Sequence, residues 1–226
     1  MSEYNEWHLT HTTDDDINTP WHHFVKSKLT SGDIVDRKIL EIGCGRGGFS
    51  KYLSAITPIA QQIVAADFST SALVIAGAKY QNLKIDWKQE DIMNISFQDN
   101  FFDTVISCET IEHVTNPNKA VKELYRVLKP GGKLFLTCPN YFNLFGIWCL
   151  YRWIIGKPFT EGGQPYVNYI LFPSVFFWVR QAGFKVECFQ SVEITLPAKV
   201  PKHFWVKKAP YLLKPFGHRT FYVLIK

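Results

Sequence analysis

The densest chemistry in this 226-residue chain is a glycine-rich turn, Glu41-Ile42-Gly43-Cys44-Gly45-Arg46-Gly47-Gly48, which ends one apolar run and opens another. Glycine admits backbone conformations closed to other residues and lets a ligand approach the main chain. Asp67 lies 19 residues beyond Gly48, at the end of the next apolar run. In a doubly wound sheet a carboxylate there meets the ribose hydroxyls of a nucleotide. A tight turn followed by a helix cap would use the same residues without any ligand. Gly43, Gly45 and Gly48 also satisfy G-x-G-x-x-G, so glycine spacing alone leaves a dinucleotide such as NAD and a single nucleoside both open. Three other features separate them. Glu41 sets a carboxylate two residues before the first glycine, where it can help hold an ammonium that NAD lacks. Asp91 ends the third strand, where it can accept from an adenine amino group. Pro130-Gly131-Gly132 makes a tight turn into the fifth strand.

These segments carry a resemblance. Leu40 to Gly47, Asp67, Glu90-Asp91-Ile92, the run Phe102 to Val114 and the run Leu128 to Thr137 resemble class I S-adenosylmethionine-dependent methyltransferases. Within that class they are most similar to the small-molecule branch that includes the ubiquinone-pathway O-methyltransferases. The match runs from about residue 36 to 138. It implies S-adenosylmethionine as cofactor, with NAD the runner-up, and a Rossmann-like doubly wound α/β sheet of seven strands, mostly parallel, the last antiparallel. It further implies that Gly43, Cys44 and Gly45 pass beside the methionine part of the cofactor, with Glu41 nearby. Asp67 would take the ribose hydroxyls and Phe68 lie against the adenine. Asp91 and Ile92 would flank the adenine edge, and Cys108 would face the sulfonium.

A sulfonium is an activated methyl donor, so alignment of the nucleophile contributes most, about 7–11 kcal/mol where orientation is good. A phenol or alcohol must also lose a proton, which calls for a base. His113, five residues past the fourth strand, is the candidate catalytic base; a structural histidine bonded to the backbone would fit there equally. Glu109, Glu112 and His113 would share one face if their stretch were helical. Two carboxylates and an imidazole could then hold a divalent metal and polarise a hydroxyl, although such residues commonly brace a helix and no metal is expected. His8, His11, His22 and His23 lie in the first 30 residues with Trp7 and Trp21, a segment that in the resembled family often folds over the site as a lid.

Apolar runs alternating with amphipathic stretches are the elements that position these residues. Strands are expected at 38–43, 62–66, 83–88, 102–108 and 133–138, with two late ones at 184–194 and 219–226. Helices are expected at 46–55, from the Ser69 cap to Tyr80, over 117–128, and from Pro173 to the stop at Gly183. Strand–helix alternation means βαβ units and a parallel sheet. The last two strands lack an intervening helix, so the final one should run antiparallel. Two excursions break the repeat, 1–30 and 139–172, and both are candidate substrate elements.

Length fits a single domain over 1–226. Hydrophobic residues form 46% and charged residues 20% of the chain, which excludes global disorder. No apolar stretch reaches 18 residues and no signal-peptide pattern opens the chain, so a soluble, cytoplasmic protein is expected. The five cysteines include no C-x-x-C pair, which argues against a zinc knuckle or redox dithiol. The net charge of +5 divides unevenly, −7 over residues 1–113 and +12 over 114–226. With no dense basic run, nucleic acid is not an expected partner; a small anionic substrate or a membrane surface suits such a face better. Residues 141–155 are mostly apolar and aromatic, too short to span a bilayer. They suit a core helix, a substrate wall, or peripheral membrane contact through Trp148, Tyr151, Arg152 and Trp153. The chain therefore reads as a methyltransferase acting on a small, fairly apolar acceptor, most readily at oxygen. Methylation at carbon or nitrogen, or a catalytically silent cofactor-binding protein, are the alternatives.

Overall fold

Strand–helix alternation builds one seven-stranded sheet in the computed structural model, which describes residues 2–10, 17–56, 60–160, 163–192 and 215–226. The strands are β1 (Lys38–Ile42), β2 (Gln62–Asp67), β3 (Asp86–Gln89), β4 (Phe102–Cys108), β5 (Leu128–Pro139), β6 (Lys185–Val192) and β7 (Arg219–Ile225). Their order is β3-β2-β1-β4-β5-β7-β6. All run parallel except β7, which is antiparallel to both β5 and β6. The helices are α1 (Ser2–Thr10), α2 (Pro20–Lys28), α3 (Ser31–Ile34), α4 (Gly48–Ile56), α5 (Thr70–Lys79), α6 (Pro117–Val127), α7 (Leu144–Ile154) and α8 (Phe172–Ala182).

Side chains alternate between two cores, as strands buried on both faces require. Leu40, Ile42, Val64 and Val105 pack on one face with Ala120, Val121 and Leu124 of α6 and Val175 and Val179 of α8. Ile39, Ala65, Ile106 and Phe135 pack on the other with Phe24 and Val25 of α2 and Phe49 and Leu53 of α4. Local signals start and stop the helices. Asn116 caps α6, its side chain accepting from the Lys119 N–H, and Pro117 follows at a position where the missing donor costs nothing. Ser69 caps α5 through the Ala72 N–H.

Three expectations need correction. The third strand starts at Asp86 rather than 83, because the Leu83 N–H turns back onto the Tyr80 carbonyl at the end of α5 and the Ile85 N–H donates to the Leu83 carbonyl. Pro130-Gly131-Gly132 is not a turn ahead of β5 but an irregularity inside it. There the pairing partners of Phe102 and Thr104 jump from Leu128 to Lys133, and the Gly131 N–H is satisfied by the Lys226 carbonyl. Residues 141–155 do not form a core helix: on α7 only Cys149 is buried. Ile147, Trp153 and Ile154 are each more than 60% exposed. Of the late strand expected over 184–194, residues 193 and 194 lie outside the described residues. No helix among the described residues is long and apolar enough to cross a membrane.

Asn140 joins the end of β5, the following excursion and the entry to β7. Its Nδ2 donates to the carbonyls of Pro215 (2.9 Å) and Gly217 (2.7 Å), and its Oδ1 accepts from the N–H groups of Phe142 (3.0 Å) and Phe172 (2.9 Å). The side chain is fully buried and uses all four of its hydrogen-bonding positions. Asn140→Ala removes four hydrogen bonds to part-buried and buried backbone groups at once and should cost about 3 kcal/mol or more, read as a lowered urea midpoint with an unchanged slope.

Candidate active site

The β1–α4 turn wraps tightly because its backbone has partners waiting on the neighbouring strand. The N–H groups of Gly43 and Cys44 both donate to the Ala66 carbonyl of β2. Gly43 takes φ +79°, and a Cβ there would lie 2.1 Å from Thr110 Oγ1. Gly47 also has φ +79°, and a Cβ there would lie 2.4 Å from the Trp87 ring. Only glycine satisfies both the dihedral and the space at these positions. Asp67, at the end of β2, accepts from the Gly45 N–H with Oδ2 and from the Ser69 N–H with Oδ1, both at 2.8 Å. One carboxylate thus ties the glycine turn to the start of α5.

These residues border a cavity of about 630 Å³ at the carboxyl ends of β1, β2 and β4. Glu41, Gly43, Cys44, Gly45, Asp67 and Phe68 all line it, as do Asp91, Ile92, Cys108 and His113. The structure therefore brings every singled-out nucleotide-site residue to one space. Asp91 does so from the loop after β3 rather than from the strand end, with its Oδ1 accepting from the Met93 N–H (2.8 Å). Phe68 stands at the rim and Ile92 is buried. Burial pushes the Glu41 carboxyl up to about 8, partly opposed by the hydrogen bond that the Ser50 hydroxyl donates to it. Burial also raises the thiols of Cys44 and Cys108, which keeps both protonated.

The Glu109, Glu112 and His113 trio does not form one face. Glu109 has φ +49° and ends β4's trajectory, and the 3-10 turn begins only at Ile111. Glu109 is ion-paired with Arg219 and accepts from the Thr137 hydroxyl (2.9 Å). Glu112 is buried, with its Oε1 3.6 Å from His113 Nε2. Among the described residues no group of three His, Cys, Asp or Glu side chains is placed to hold a metal ion. His113 Nδ1 lies 2.8 Å from the Tyr166 carbonyl. A carbonyl only accepts, so Nδ1 carries the proton and Nε2 of the neutral ring is the basic nitrogen.

Several site residues come from the two excursions. Tyr4, Trp7 and His8 of α1, and Trp21 and His22 of α2, line the cavity, as do Gln164 and Tyr166. His22 stacks on Phe49 at 4.6 Å and bonds to the Thr19 hydroxyl; His23 is exposed, and His11 lies outside the described residues. The apolar stretch 141–155, by contrast, contributes nothing to the cavity wall. Irregular periodicity marked these segments as excursions, but no local pattern tells which of their side chains reach the strand ends.

Residues 40–136 match the family described as Methyltransferase domain. The ubiquinone/menaquinone biosynthesis C-methyltransferase UbiE of Haemophilus ducreyi is 37% identical over 110 residues, 47% of this chain and 42% of that protein. The ubiquinone biosynthesis O-methyltransferase of Xanthomonas euvesicatoria is 26% identical over 171 residues, 73% of this chain and 68% of that one. Residues 40–136 thus carry a methyltransferase domain. The chain spans under half of the first relative's length and about two thirds of the second's. Two solved structures share the fold. The methyltransferase bound to the Trm112 activator of Haloferax volcanii superposes with a TM-score of 0.68 at 17% identity, over 99% of this chain and 96% of that one. A Thermotoga maritima S-adenosylmethionine-dependent methyltransferase, described as a possible histamine N-methyltransferase, gives 0.64 at 21% identity, over 100% and 95%.

The chemistry of the cavity lining suits S-adenosylmethionine. The lining offers a glycine-rich turn, the Asp67 carboxylate at the end of β2, the Asp91 carboxylate in the loop after β3, and apolar contacts from Phe68 and Ile92.

The raised Glu41 carboxyl has a consequence for the ligand-free protein. Between its ordinary value of 4.5 and about 8, the folded state holds a proton there that the unfolded chain has released. The folded state therefore binds more protons in that window, and this contribution to stability falls as pH rises through it. Denaturant unfolding in mildly acidic and mildly alkaline buffers should show that decline, and Glu41→Gln should flatten it.

Proposed function

We propose that the chain transfers the methyl group of S-adenosylmethionine to a hydroxyl oxygen of a small, fairly apolar acceptor, with His113 as general base. The observation that carries this reading is the anchoring of His113 beside the glycine turn. The Tyr166 carbonyl holds Nδ1–H, which leaves Nε2 to accept the acceptor's proton. The buried Glu112 carboxyl 3.6 Å away favours the imidazolium that results. When bound, the cofactor supplies a positively charged sulfonium whose methyl carbon is open to attack. Around it, the backbone at Gly43, Cys44 and Gly45 borders the methionine part and Glu41 faces its ammonium. Each Asp67 oxygen keeps a second lone pair beyond its backbone bond and so can accept from the ribose hydroxyls. Phe68 and Ile92 border the adenine, with Asp91 at its amino edge. Cys108 lies near the sulfonium, where a protonated thiol does not compete as a nucleophile.

Methylation at carbon is the second reading, favoured by the higher identity to the C-methyltransferase of Haemophilus ducreyi. The two diverge at His113, since an acidic hydroxyl needs a base in line with the sulfonium whereas an activated ring carbon sheds its proton afterwards.

Peripheral contact with an anionic membrane belongs to the same proposal. The exposed positions of α7 include Ile147, Trp148, Tyr151, Trp153 and Ile154, the residue types that settle at a bilayer interface. Residues 140–160 contain Arg152 and Lys157 and no acid, which complements anionic headgroups.

Calorimetric titration with S-adenosylhomocysteine should show binding that Asp67→Ala weakens, with none for NAD⁺; binding of NAD⁺ alone would sink the assignment. In a phenol methylation assay, His113→Gln should lower kcat by about 10²–10⁴-fold and leave S-adenosylhomocysteine affinity within a few-fold. Unchanged turnover would remove the general base. Co-sedimentation should occur with vesicles containing phosphatidylglycerol and be lost in Trp148→Glu/Trp153→Glu; equal pelleting of that variant would discard the membrane contact.

A further inference from the structure

Helix α1 delivers to the cavity one buried polar group that the roles above leave unused. The His8 side chain is 8% exposed, and its Nδ1 has no hydrogen-bond partner among the described residues. Leaving such a group dry is costly unless a ligand completes it. The ring stands directly over the glycine turn, with Cε1 4.0 Å from where a Cβ of Gly45 would be. The Gly45 N–H is the one that donates to Asp67 Oδ2, so the imidazole and the carboxylate flank the same stretch of cavity.

The helix is fixed there by contacts at both ends. The Arg46 guanidinium, from the glycine turn itself, donates to the His8 carbonyl. Asn5 Oδ1 accepts from the hydroxyl of Ser69 (2.9 Å), the residue that caps α5. The Tyr4 hydroxyl reaches the carbonyls of Tyr166 (3.1 Å) and His113 (3.3 Å). Trp7 packs edge-on against the His8 ring at 4.9 Å. These contacts leave the imidazole little room to turn away from the cavity.

We propose that His8 is a cofactor-binding residue that contacts the ribose of S-adenosylmethionine from the face opposite Asp67, so that cofactor occupancy holds α1 over the site. This rests on the cofactor reading above. A hydroxyl is the matching partner, since a neutral imidazole can donate to it or accept from it while Asp67 accepts from the diol. Burial, the larger influence, and the Arg46 charge lower the proton affinity of His8, against the pull of Asp67. The cofactor's own carboxylate suits the position poorly, because Asp67 would repel it.

The test titrates wild type, His8→Phe and His8→Gln with S-adenosylhomocysteine and with 5′-methylthioadenosine, which keeps the ribose and adenine but lacks the amino acid. His8→Phe should weaken both ligands by about 5- to 10-fold, and His8→Gln should recover part of the loss. Hydrogen exchange of residues 2–10 should slow on adding S-adenosylhomocysteine in wild type and much less in His8→Phe. Weakening confined to S-adenosylhomocysteine would place His8 at the amino-acid end and overturn the proposal, as would unchanged affinity for both. Failure of the wild type to bind S-adenosylhomocysteine would instead overturn the cofactor reading. If His8→Phe does not fold, His8→Ala replaces it in the same titrations.

Discussion

The architecture turns on the parting of the chain at the carboxyl ends of β1 and β4. From β1 the chain proceeds outward through β2 and β3, and from β4 it proceeds the other way through β5. Connections leaving two adjacent parallel strands in opposite directions open a crevice between them that no side chain of the sheet fills. The glycine turn occupies one lip of that crevice and the Cys108–His113 stretch the other. They nearly touch where Gly43 passes Thr110, so closely that a single methyl group there has no room. Every other feature of the site is arranged around this approach.

Closing the crevice falls to parts of the chain outside the repeat. Helices α1 and α2 precede β1 in sequence, yet both reach the cavity beyond its end. The segment after α7 returns from the other side and places the Tyr166 carbonyl on His113. Tyr4 bonds to that same carbonyl, so the two excursions meet over the 3-10 turn. A sulfonium donor calls for alignment and exclusion of water more than for acid–base power, and a roof assembled from two such elements supplies both. Helix α7 itself stands outside this roof, anchored by the Asn140 junction and by the right-angle packing of Phe145 on His218.

Buried charge is distributed by the same geometry. Glu41 sits below the glycine turn, where the Ser50 hydroxyl donates to it, and burial makes its carboxyl hard to ionise without a neighbouring cation. Glu109 has the opposite fate, since Arg219 from β7 neutralises it while stacking on Trp21 at 4.5 Å. The cysteines around the site stay protonated because they are dry. The crevice thus keeps Glu41 and the two thiols protonated and pairs Glu109 with Arg219.

Much of this was legible from residue order alone. The sheet, its antiparallel last strand and the residues that line the cavity from the strand ends follow from local physics: short apolar runs for the buried strands, glycines where the backbone turns left-handed, acids at or just past strand ends. Such signals are complete within a few residues, and residues such as Asp67 and Cys108 came together as their positions imply. What the order of residues left open is what depends on distant segments meeting. The helical face assumed for Glu109, Glu112 and His113 fails because Arg219, 110 residues away, draws Glu109 to β7 and the backbone turns left-handed there. Pro130-Gly131-Gly132 joins β5 because the C-terminal Lys226 pairs with it. The roles of Tyr4, His8 and Tyr166 exist only because two aperiodic segments fold over the same strand ends. Short-range pattern determined the scaffold, whereas the roof of the site was decided by hydrogen bonds between residues 38 to 162 positions apart, which no local pattern encodes.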